Sequence, residues 1–420
     1  MKITIAKQDL ERALAVAKIS VSGDSDLSGH YLIRNRGGKI EILSYHQRIF
    51  SLSPVVATVV GEEGEAFTVE AWRLDKWVSG VPDGVIVLTS DGSGDVTCSG
   101  TRSKIKLRSL DASKFPFSDK MVAASVSQGK VVPSALARAL SVSRWFVSGD
   151  DTSKPELCQI DAVKGVLWAT DRRAFSSAEI PGAEELSIRV SSKDISALLK
   201  FLNEKGTTEG GLVEIKEASR APSEGGASSL FYRADGSYFG VTRPNTTLPP
   251  LSKDNRDVPD SFSITIDHAE FALATQILLA AAPRGHERIT FKNVEGAVVV
   301  SMPSEAGGTA DYTLTLAVLE NPEKFTMSFD IDYPYIQGLV STFGGETLRL
   351  GCTSRGNGGY CTFHHFDNVE DEKAHGAIDE IKEVGPEAPP DTTLEAYKKL
   401  KWSGLPLKGN RYYTVVGWRS

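Results

Sequence analysis

The sequence predicts an α+β protein made of six similar units, each an alternating strand, an amphipathic helix and further antiparallel strands. Three observations support this class. The composition, 40% hydrophobic and 24% charged over 420 residues, is typical of globular chains with several cores. The same strand–helix pattern recurs six times. Its helices are predicted to begin at residues 7, 71, 133, 192, 267 and 332, a spacing near 65 residues.

Each copy opens with a short strand whose apolar side chains alternate with polar ones, and the helix follows after one or two polar residues. In the first helix Leu10, Leu14 and Ala17 lie on one face, the stripe expected of a helix packed on a core. We expect the opening strands at Ile3–Ile5, Phe67–Val69, Val131–Val132, Ile188–Val190, Ile264–Ile266 and Phe329–Ile331. Later strands are expected at Lys39–Leu43, Val85–Leu88, Lys104–Leu107, Leu212–Ile215, Ala297–Val300 and Thr347–Leu350.

Two units per domain give three similar domains, with boundaries at 1–125, 126–258 and 259–366. A stretch rich in Ser, Gly, Ala and Pro from 217 to 229 explains the one long interval, between the fourth and fifth helices, as an inserted loop. The alternative is an ordinary α+β protein without a repeat. Six copies at near-constant spacing favour the repeat, with helices on one side of the curved sheets.

Enzymatic and membrane functions find little support. The chain has no GxGxxG, GxxxxGK[ST], GxSxG or HExxH motif, and a catalytic role for Asp171 with Arg172 has no nucleophile or cofactor signature beside it. The four cysteines form no CxxC pair, and His364 and His365 would point to opposite faces of a strand, so no metal and no cofactor are predicted. Without a signal sequence or a long apolar run, we expect a non-catalytic cytoplasmic protein.

Several segments resemble the first domain of the bacterial replicative sliding clamp, the β subunit of the polymerase holoenzyme. They are Phe67–Ala71, Val81–Gly84, Ser99–Leu107 and Leu110–Pro116, in the order that the family has them. Val166–Phe175 is similar to that family's middle-domain "ATDGHRLA" signature. The resemblance covers roughly residues 1 to 366 and is weakest in the third domain.

The resemblance implies a DNA-clamp fold in which helices line a ring and antiparallel sheets lie outside. It also implies a head-to-tail homodimer that encircles double-stranded DNA independently of its sequence and tethers a DNA polymerase for processive replication. Such a closed ring leaves no exposed sheet edge and requires no catalytic residue.

The net charge of −7 argues at first against DNA, but the charge is unevenly distributed. Residues 1–125 carry a net +1 and residues 126–258 a net 0, whereas 259–366 carry −6 and the remainder −2. Basic residues lie on the polar faces of the first four helices, and we expect them to face phosphates: Arg12, Lys18, Arg73, Lys76, Arg138, Arg144, Lys193 and Lys200. The alternative is a set of ordinary solvated helix faces.

The family binds its polymerase and clamp loader through short peptides held between the second and third domains. Carried over position by position, the resemblance implies a pocket formed by Thr170, Arg172, Arg173, Phe175, Phe239, Pro244, Cys361, Phe363 and His365. The family's Gly-His-Arg-Leu is replaced by Arg172-Arg173-Ala174-Phe175, a bulkier and more basic sequence. The alternative for the three phenylalanines is core packing.

Residues 367–420 extend beyond the segment that the resemblance covers. From 367 to 395 there are 10 acidic and 2 basic residues, typical of a solvated linker, whereas 396–420 contains 6 basic residues, no acidic ones and five aromatic residues. One hypothesis is that Leu405-Pro406-Leu407 mimics a partner peptide. The simpler alternative is an added strand at Tyr412–Val416, which has strand composition.

An alternative function is a clamp-fold binding or regulatory protein that recruits replication or transcription partners without acting as a processivity factor. Retention on circular DNA separates the two functions, because a protein that encircles DNA stays on a circle but slides off the ends of a linear duplex. The altered pocket and the long extension hint at a divergent, phage-encoded replication system.

Overall fold

The computed structural model describes residues 1–366 and 411–419, except 24–25, 93, 118, 120–121, 123, 150–151, 164, 181–182, 184, 205–210, 219–226, 249–260, 286–287, 343–346 and 356–357. Side chains are described as far as Thr353. The chain forms two compact units. The first contains Met1–Ala137 and Glu185–Asn245, and the second Arg138–Glu184 and Thr246–Ser420.

Within the described residues six α-helices are present, and their bounds are α1 (Lys7–Ala17), α2 (Ala71–Gly80), α3 (Pro133–Ser143), α4 (Ser192–Asn203), α5 (His268–Ala281) and α6 (Tyr333–Thr342). The strands of the first half are β1 (Lys2–Ala6), β2 (His30–Arg36), β3 (Lys39–His46), β4 (Ile49–Val55), β5 (Thr58–Val60), β6 (Ala66–Glu70), β7 (Val85–Ser90), β8 (Asp95–Gly100), β9 (Ser103–Arg108), β10 (Ser125–Val131), β11 (Gln159–Val163), β12 (Val166–Thr170) and β13 (Ala174–Glu179). Those of the second half are β14 (Ile188–Ser191), β15 (Val213–Ala218), β16 (Ser228–Tyr232), β17 (Tyr238–Thr242), β18 (Phe262–Asp267), β19 (Arg288–Val294), β20 (Ala297–Pro303), β21 (Thr309–Leu314), β22 (Val318–Glu320), β23 (Phe329–Asp332), β24 (Thr347–Arg355), β25 (Gly358–Phe366) and β26 (Arg411–Arg419).

The first unit contains two antiparallel sheets. One has the order β5-β1-β7-β8-β9 and the other the order β10-β15-β16-β17-β4-β3-β2-β6. The larger sheet is continuous across residue 125, because β4 pairs with β17 in the register Leu52↔Tyr238. Alternation places Ile3 and Ile5 of β1 inward, where they join the buried stripe of α1 in one core that also receives α2. The helices of this unit therefore cover the inner faces of its sheets.

The second unit is organised around one antiparallel sheet whose path runs β11-β12-β13-β26-β23-β19-β20-β21. Strands β18, β22, β24 and β25 extend it, with β24 between β18 and β25. α5 begins at an Asp267 cap, whose carboxylate accepts the backbone N–H of Glu270 at 2.7 Å. Stacked phenylalanine rings, Phe291 on Phe329 at 5.1 Å among them, fill the core beneath it.

The predicted α+β class and the strand–helix repeat are confirmed. The helices begin at residues 7, 71, 133, 192, 268 and 333. α3 begins one residue after its strand, and the other five helices follow their strands directly. The strand predicted at Tyr412–Val416 is present as part of β26. The rest of the 367–420 extension, including Leu405-Pro406-Leu407, lies outside the described residues.

Candidate partner-peptide site and nucleic-acid surface

The most ordered candidate site is the tight turn between β12 and β13, residues Asp171–Arg173. One carboxylate oxygen of Asp171 accepts the backbone N–H groups of Arg173 at 2.8 Å and Ala174 at 2.9 Å. The Thr170 hydroxyl accepts the N–H of Arg172 at 3.0 Å and donates to the Ala174 carbonyl at 2.8 Å. These bonds satisfy the turn's backbone locally and fix its conformation.

Tyr335 of α6 holds this turn from the protein side. Its hydroxyl donates to the second carboxylate oxygen of Asp171, and its ring stacks on Phe146 with centroids 5.1 Å apart. Burial, together with the Asp171 carboxylate, raises the pKa of Tyr335, so the phenol stays protonated and remains a donor. Gly338, one turn further along α6, lies directly against the Trp145 indole. The sequence does not predict Tyr335 as a site residue, because no local pattern distinguishes it from a core tyrosine.

The turn presents two arginines outward. Arg172 has a φ of 75°, a left-handed conformation in which glycine is favoured. Its guanidinium donates to the Glu156 carboxylate at 3.2 Å and remains largely exposed. Arg173 is exposed too, and within the described part of the chain its guanidinium has no ion-pair or hydrogen-bond partner. Among the residues that the structure describes, the site therefore carries one paired and one unpaired cation.

The strand beside this hairpin is β26. Ala174 pairs with Val416 and Phe175 with Val415, while β25 lies on the far side, with Cys361 opposite Val416. Cys361, Phe363 and His365, which the resemblance assigns to the pocket, lie on β25, and β26 separates that strand from the hairpin.

The remaining pocket residues are buried or lie in the first unit. Phe175 is 6% exposed and Phe239 is fully buried. Phe239 packs with Phe201 at 5.7 Å and Phe231 at 6.5 Å in the core of the first unit, where the Pro244 carbonyl accepts from Arg189 at 3.2 Å. The structure thus brings together Thr170, Arg172, Arg173 and Phe175 on one hairpin, while Phe239 and Pro244 have structural contacts elsewhere.

In the first unit, the basic residues predicted to face DNA are exposed on α1, α2 and α4 or just beyond them. Several are paired with carboxylates: Arg12 with Asp9 at 3.4 Å, Lys18 with Asp75 at 3.3 Å and Arg73 with Glu70 at 2.7 Å. Lys76, Lys193 and Lys200 are exposed as well. Pairs of this kind at the surface are weak and are readily exchanged for phosphate.

Two carboxylates beneath these cations are partly desolvated. Burial raises the pKa of Asp75 despite a hydrogen bond from the Tyr31 hydroxyl at 3.0 Å and the charge of Lys18. Burial also raises the pKa of Asp194, whose nearest cation is Arg48 at 3.3 Å. Each carboxylate lies next to a cation, Asp75 beside Lys18 and Asp194 beside Arg48, and burial makes its ionised form less favourable than in water.

The second unit contains the other two predicted cations. Arg144 is exposed, with its guanidinium 5.1 Å from the centroid of the Trp145 ring, and Arg138 is half-buried. α5 and α6 contain no lysine or arginine. Instead, α5 exposes Leu273 and Ile277 at 49% and 47%. An apolar stripe on a surface helix is typical of a protein contact.

None of the described helices is long and apolar enough to cross a bilayer. Nor do the described side chains contain a cluster of three or more His, Cys, Asp or Glu residues that could hold a metal ion.

No protein-family model and no curated protein sequence matches this chain. Solved structures do. The DNA polymerase III subunit beta of Pseudomonas aeruginosa matches with a TM-score of 0.73 and 16% identity, over 100% of both chains. The beta subunit of Thermotoga maritima matches with a TM-score of 0.70 and 14% identity, over 100% of this chain and 99% of that one. The Bacillus subtilis sliding clamp matches with a TM-score of 0.70 and 15% identity, over 86% of this chain and 95% of that one. The predicted resemblance is confirmed at the level of fold: this chain has the fold of the bacterial DNA polymerase III beta sliding clamps.

Proposed function

We propose that this protein is a sliding clamp, a head-to-tail homodimeric ring that encircles duplex DNA and tethers a replicative polymerase. The observation that carries the proposal is the likeness of fold, which extends over the full length of the Pseudomonas aeruginosa beta subunit. In this role the chain is a non-catalytic, cytoplasmic accessory subunit of a DNA polymerase. Its three similar domains, 1–125, 126–258 and 259–366 completed by β26, each contribute two helices to the ring.

The charge pattern suits a protein that slides. A clamp holds DNA by topology, so strong phosphate contacts would only slow it. The exposed cations Arg12, Lys18 and Arg73 are already paired with carboxylates, which moderates their attraction for phosphate. In this proposal Lys76, Lys193 and Lys200 of the first unit contact DNA independently of its sequence. Arg138 and Arg144 of the second unit are assigned the same role.

Two sheet edges support ring closure. β9 pairs only with β8, and β21 only with β20, among the strands that the structure describes. The outward residues of β9 include Lys104, Lys106 and Arg108, whereas those of β21 include Asp311. Pairing β9 of one subunit with β21 of another would bury both edges and bring opposite charges together. The exposed apolar stripe of α5 lies in the same unit as β21 and would be covered in this contact.

The β12–β13 hairpin is the proposed partner-peptide site, through which polymerase and clamp loader are recruited. Its fixed turn presents Arg172 and Arg173, and Thr170 and Phe175 flank them on the strand ends. In this proposal β26, not β25, is the strand next to the hairpin.

Topological retention tests the function without a loader. A linear duplex is fixed to a bead at one end, the protein is allowed to thread from the free end, and that end is then blocked with streptavidin. We expect protein to survive washing in high salt only on blocked DNA. Equal retention on blocked and unblocked DNA would contradict encirclement and favour the alternative, a clamp-fold protein that recruits partners without a processivity role.

A charge variant tests the DNA surface in the same assay. Lys193→Glu combined with Lys200→Glu should slow threading at low salt, and the difference should shrink as salt rises. Lys39→Glu, on the exposed β2–β3 turn, is the matched control and should thread like the wild type. If the control and the double variant thread alike, α4 does not face DNA.

A further inference from the structure

The turn at Asp171–Arg173 keeps an arginine in a conformation that favours glycine. At φ 75° the Arg172 backbone is strained for any residue with a Cβ. The clamp signature that this segment resembles has glycine at the corresponding position. Packing does not offset this strain, because the Arg172 side chain is largely exposed; its guanidinium instead donates to Glu156.

The local carboxylates leave guanidinium donors of the two arginines unused among the described residues. Asp171 uses one oxygen for the N–H groups of Arg173 and Ala174 and the other for the Tyr335 hydroxyl, so its hydrogen bonds are directed into the protein. Glu156 binds one N–H donor of Arg172. The guanidinium of Arg173 has no partner in the described part of the chain. A fixed turn that exposes two guanidinium groups is suited to bind a planar carboxylate.

We propose that this turn is the specificity element of the partner site and binds a carboxylate of the partner peptide, so that partners carry Asp or Glu beside their apolar anchors. This inference rests on the proposed partner-peptide function. A carboxylate is favoured as the ligand because the turn, at the start of β13, exposes two guanidinium groups on successive residues, while the neighbouring Ala174 and Phe175 are buried. The Glu156 contact already shows Arg172 binding a carboxylate.

The first experiment identifies the ligand class without assuming a sequence. A library of random heptapeptides displayed on phage is selected on the full-length protein and, in parallel, on the Arg172→Gly, Arg173→Gln double variant. We expect sequences with Asp or Glu next to apolar residues, and loss of that acidic bias on the variant. Peptides selected equally by both proteins without acidic bias would overturn the carboxylate assignment while leaving the peptide site intact. If no peptide is selected, the partner-peptide function and this inference both fail.

The second experiment measures the contact. Binding of one selected peptide and its Glu→Gln version is followed by fluorescence anisotropy. We expect Arg173→Gln to weaken binding of the acidic peptide about fivefold to tenfold and to change binding of the neutral peptide little. Lys324 is an exposed cation of the same unit, and Lys324→Gln should change the affinity for neither peptide. Equal losses for both peptides would contradict a carboxylate contact. A 20-nucleotide single strand that binds the wild type and loses the same factor on Arg173→Gln would assign the turn to phosphate instead.

Stability separates this role from a structural one. Arg172→Gly relieves the strain of the left-handed backbone and should raise the melting temperature of the protein by about 2 °C. The same substitution should weaken binding of the acidic peptide. A purely structural arginine would give the opposite result, a lower melting temperature with unchanged discrimination between the Glu and Gln peptides.

Discussion

Replacing Tyr335 with phenylalanine removes one hydroxyl and leaves the ring in place. In the structure that hydroxyl donates to the carboxylate of Asp171, which anchors the turn, and the ring is stacked on Phe146 at 5.1 Å. Tyr335→Phe therefore isolates the hydrogen bond from the packing. Because the acceptor is charged and half-buried, we expect the free energy of unfolding to fall by about 2 kcal/mol.

The assay is thermal unfolding of wild-type and variant protein, with Tyr333→Phe as the matched control. Tyr333 lies two residues earlier, is partly exposed and has no hydrogen bond among the described residues, so its variant should melt like the wild type. A loss of about 2 kcal/mol corresponds to a melting temperature lower by about 4 to 8 °C for a unit of this size. If Tyr335→Phe melts with the control, the hydroxyl does not hold the turn and the argument from Asp171 is refuted.

The pH dependence gives an independent check on Tyr335. Its folded pKa is raised above the ordinary value of 10.0, so the folded state keeps a proton that the unfolded state releases. The stabilisation is complete below pH 10 and is lost as the pH rises above it. The wild type should therefore lose more stability than Tyr335→Phe between pH 10 and 11. Parallel stability curves for the two proteins in that range would contradict the raised pKa.

Three further outcomes follow from single side chains. Burial raises the folded pKa of Asp194, so the contribution of this carboxyl to stability is lost as the pH rises through its folded pKa. In urea unfolding between pH 4 and 7, the stability of Asp194→Asn should therefore fall less with rising pH than that of the wild type. Gly338→Ala should cost about 1 to 3 kcal/mol, because the new methyl meets the Trp145 ring, whereas Gly80→Ala, with open space at its Cβ, should be neutral or stabilising in the same titration. Leu273→Asp should convert the proposed dimer to monomer in analytical ultracentrifugation without changing the melting temperature of isolated subunits, and an unchanged mass would remove α5 from the subunit interface.

The sequence allowed the repeat to be predicted because its information is local. A strand with alternating apolar and polar residues, or a helix with an apolar stripe of period 3.6, can be recognised within about ten residues. Four of the six predicted helix starts coincide with the observed ones, and the other two, 267 and 332, precede them by one residue. The candidate turn was found for the same reason, since Thr170 to Phe175 form one contiguous motif.

Long-range pairing could not be predicted in the same way. Composition indicated a strand at Tyr412–Val416, but nothing in it specifies that the strand pairs with β13 on one side and β25 on the other. The position of Cys361, Phe363 and His365 on β25, one strand away from the hairpin, follows from that pairing and not from composition. Likewise, the contact between Tyr335 and Asp171 joins residues 164 positions apart, which only the folded sheet brings together.

The register of the last two strands leads to a final prediction about the 44 residues from 367 to 410. Phe366 and Arg411 are directly opposed partners, so a two-residue Asn-Gly turn could join β25 to β26 without moving either. Closing a connection of 2 rather than 44 residues saves about 2.7 kcal/mol of loop-closure entropy, if the replaced residues contribute no contacts of their own.

Three proteins compared by urea unfolding test this reasoning: the wild type, the Asn-Gly replacement and a chain ending at Phe366. The replacement should be at least as stable as the wild type. The truncated chain should be strongly destabilised, because β13 and β25 each lose the strand that satisfies their backbone groups on that side. If the replacement is instead as unstable as the truncation, the segment before β26 contributes contacts that the strand pairing alone does not supply. A stable replacement would place the structural role of the extension in β26 itself, beside the turn that presents Arg172 and Arg173.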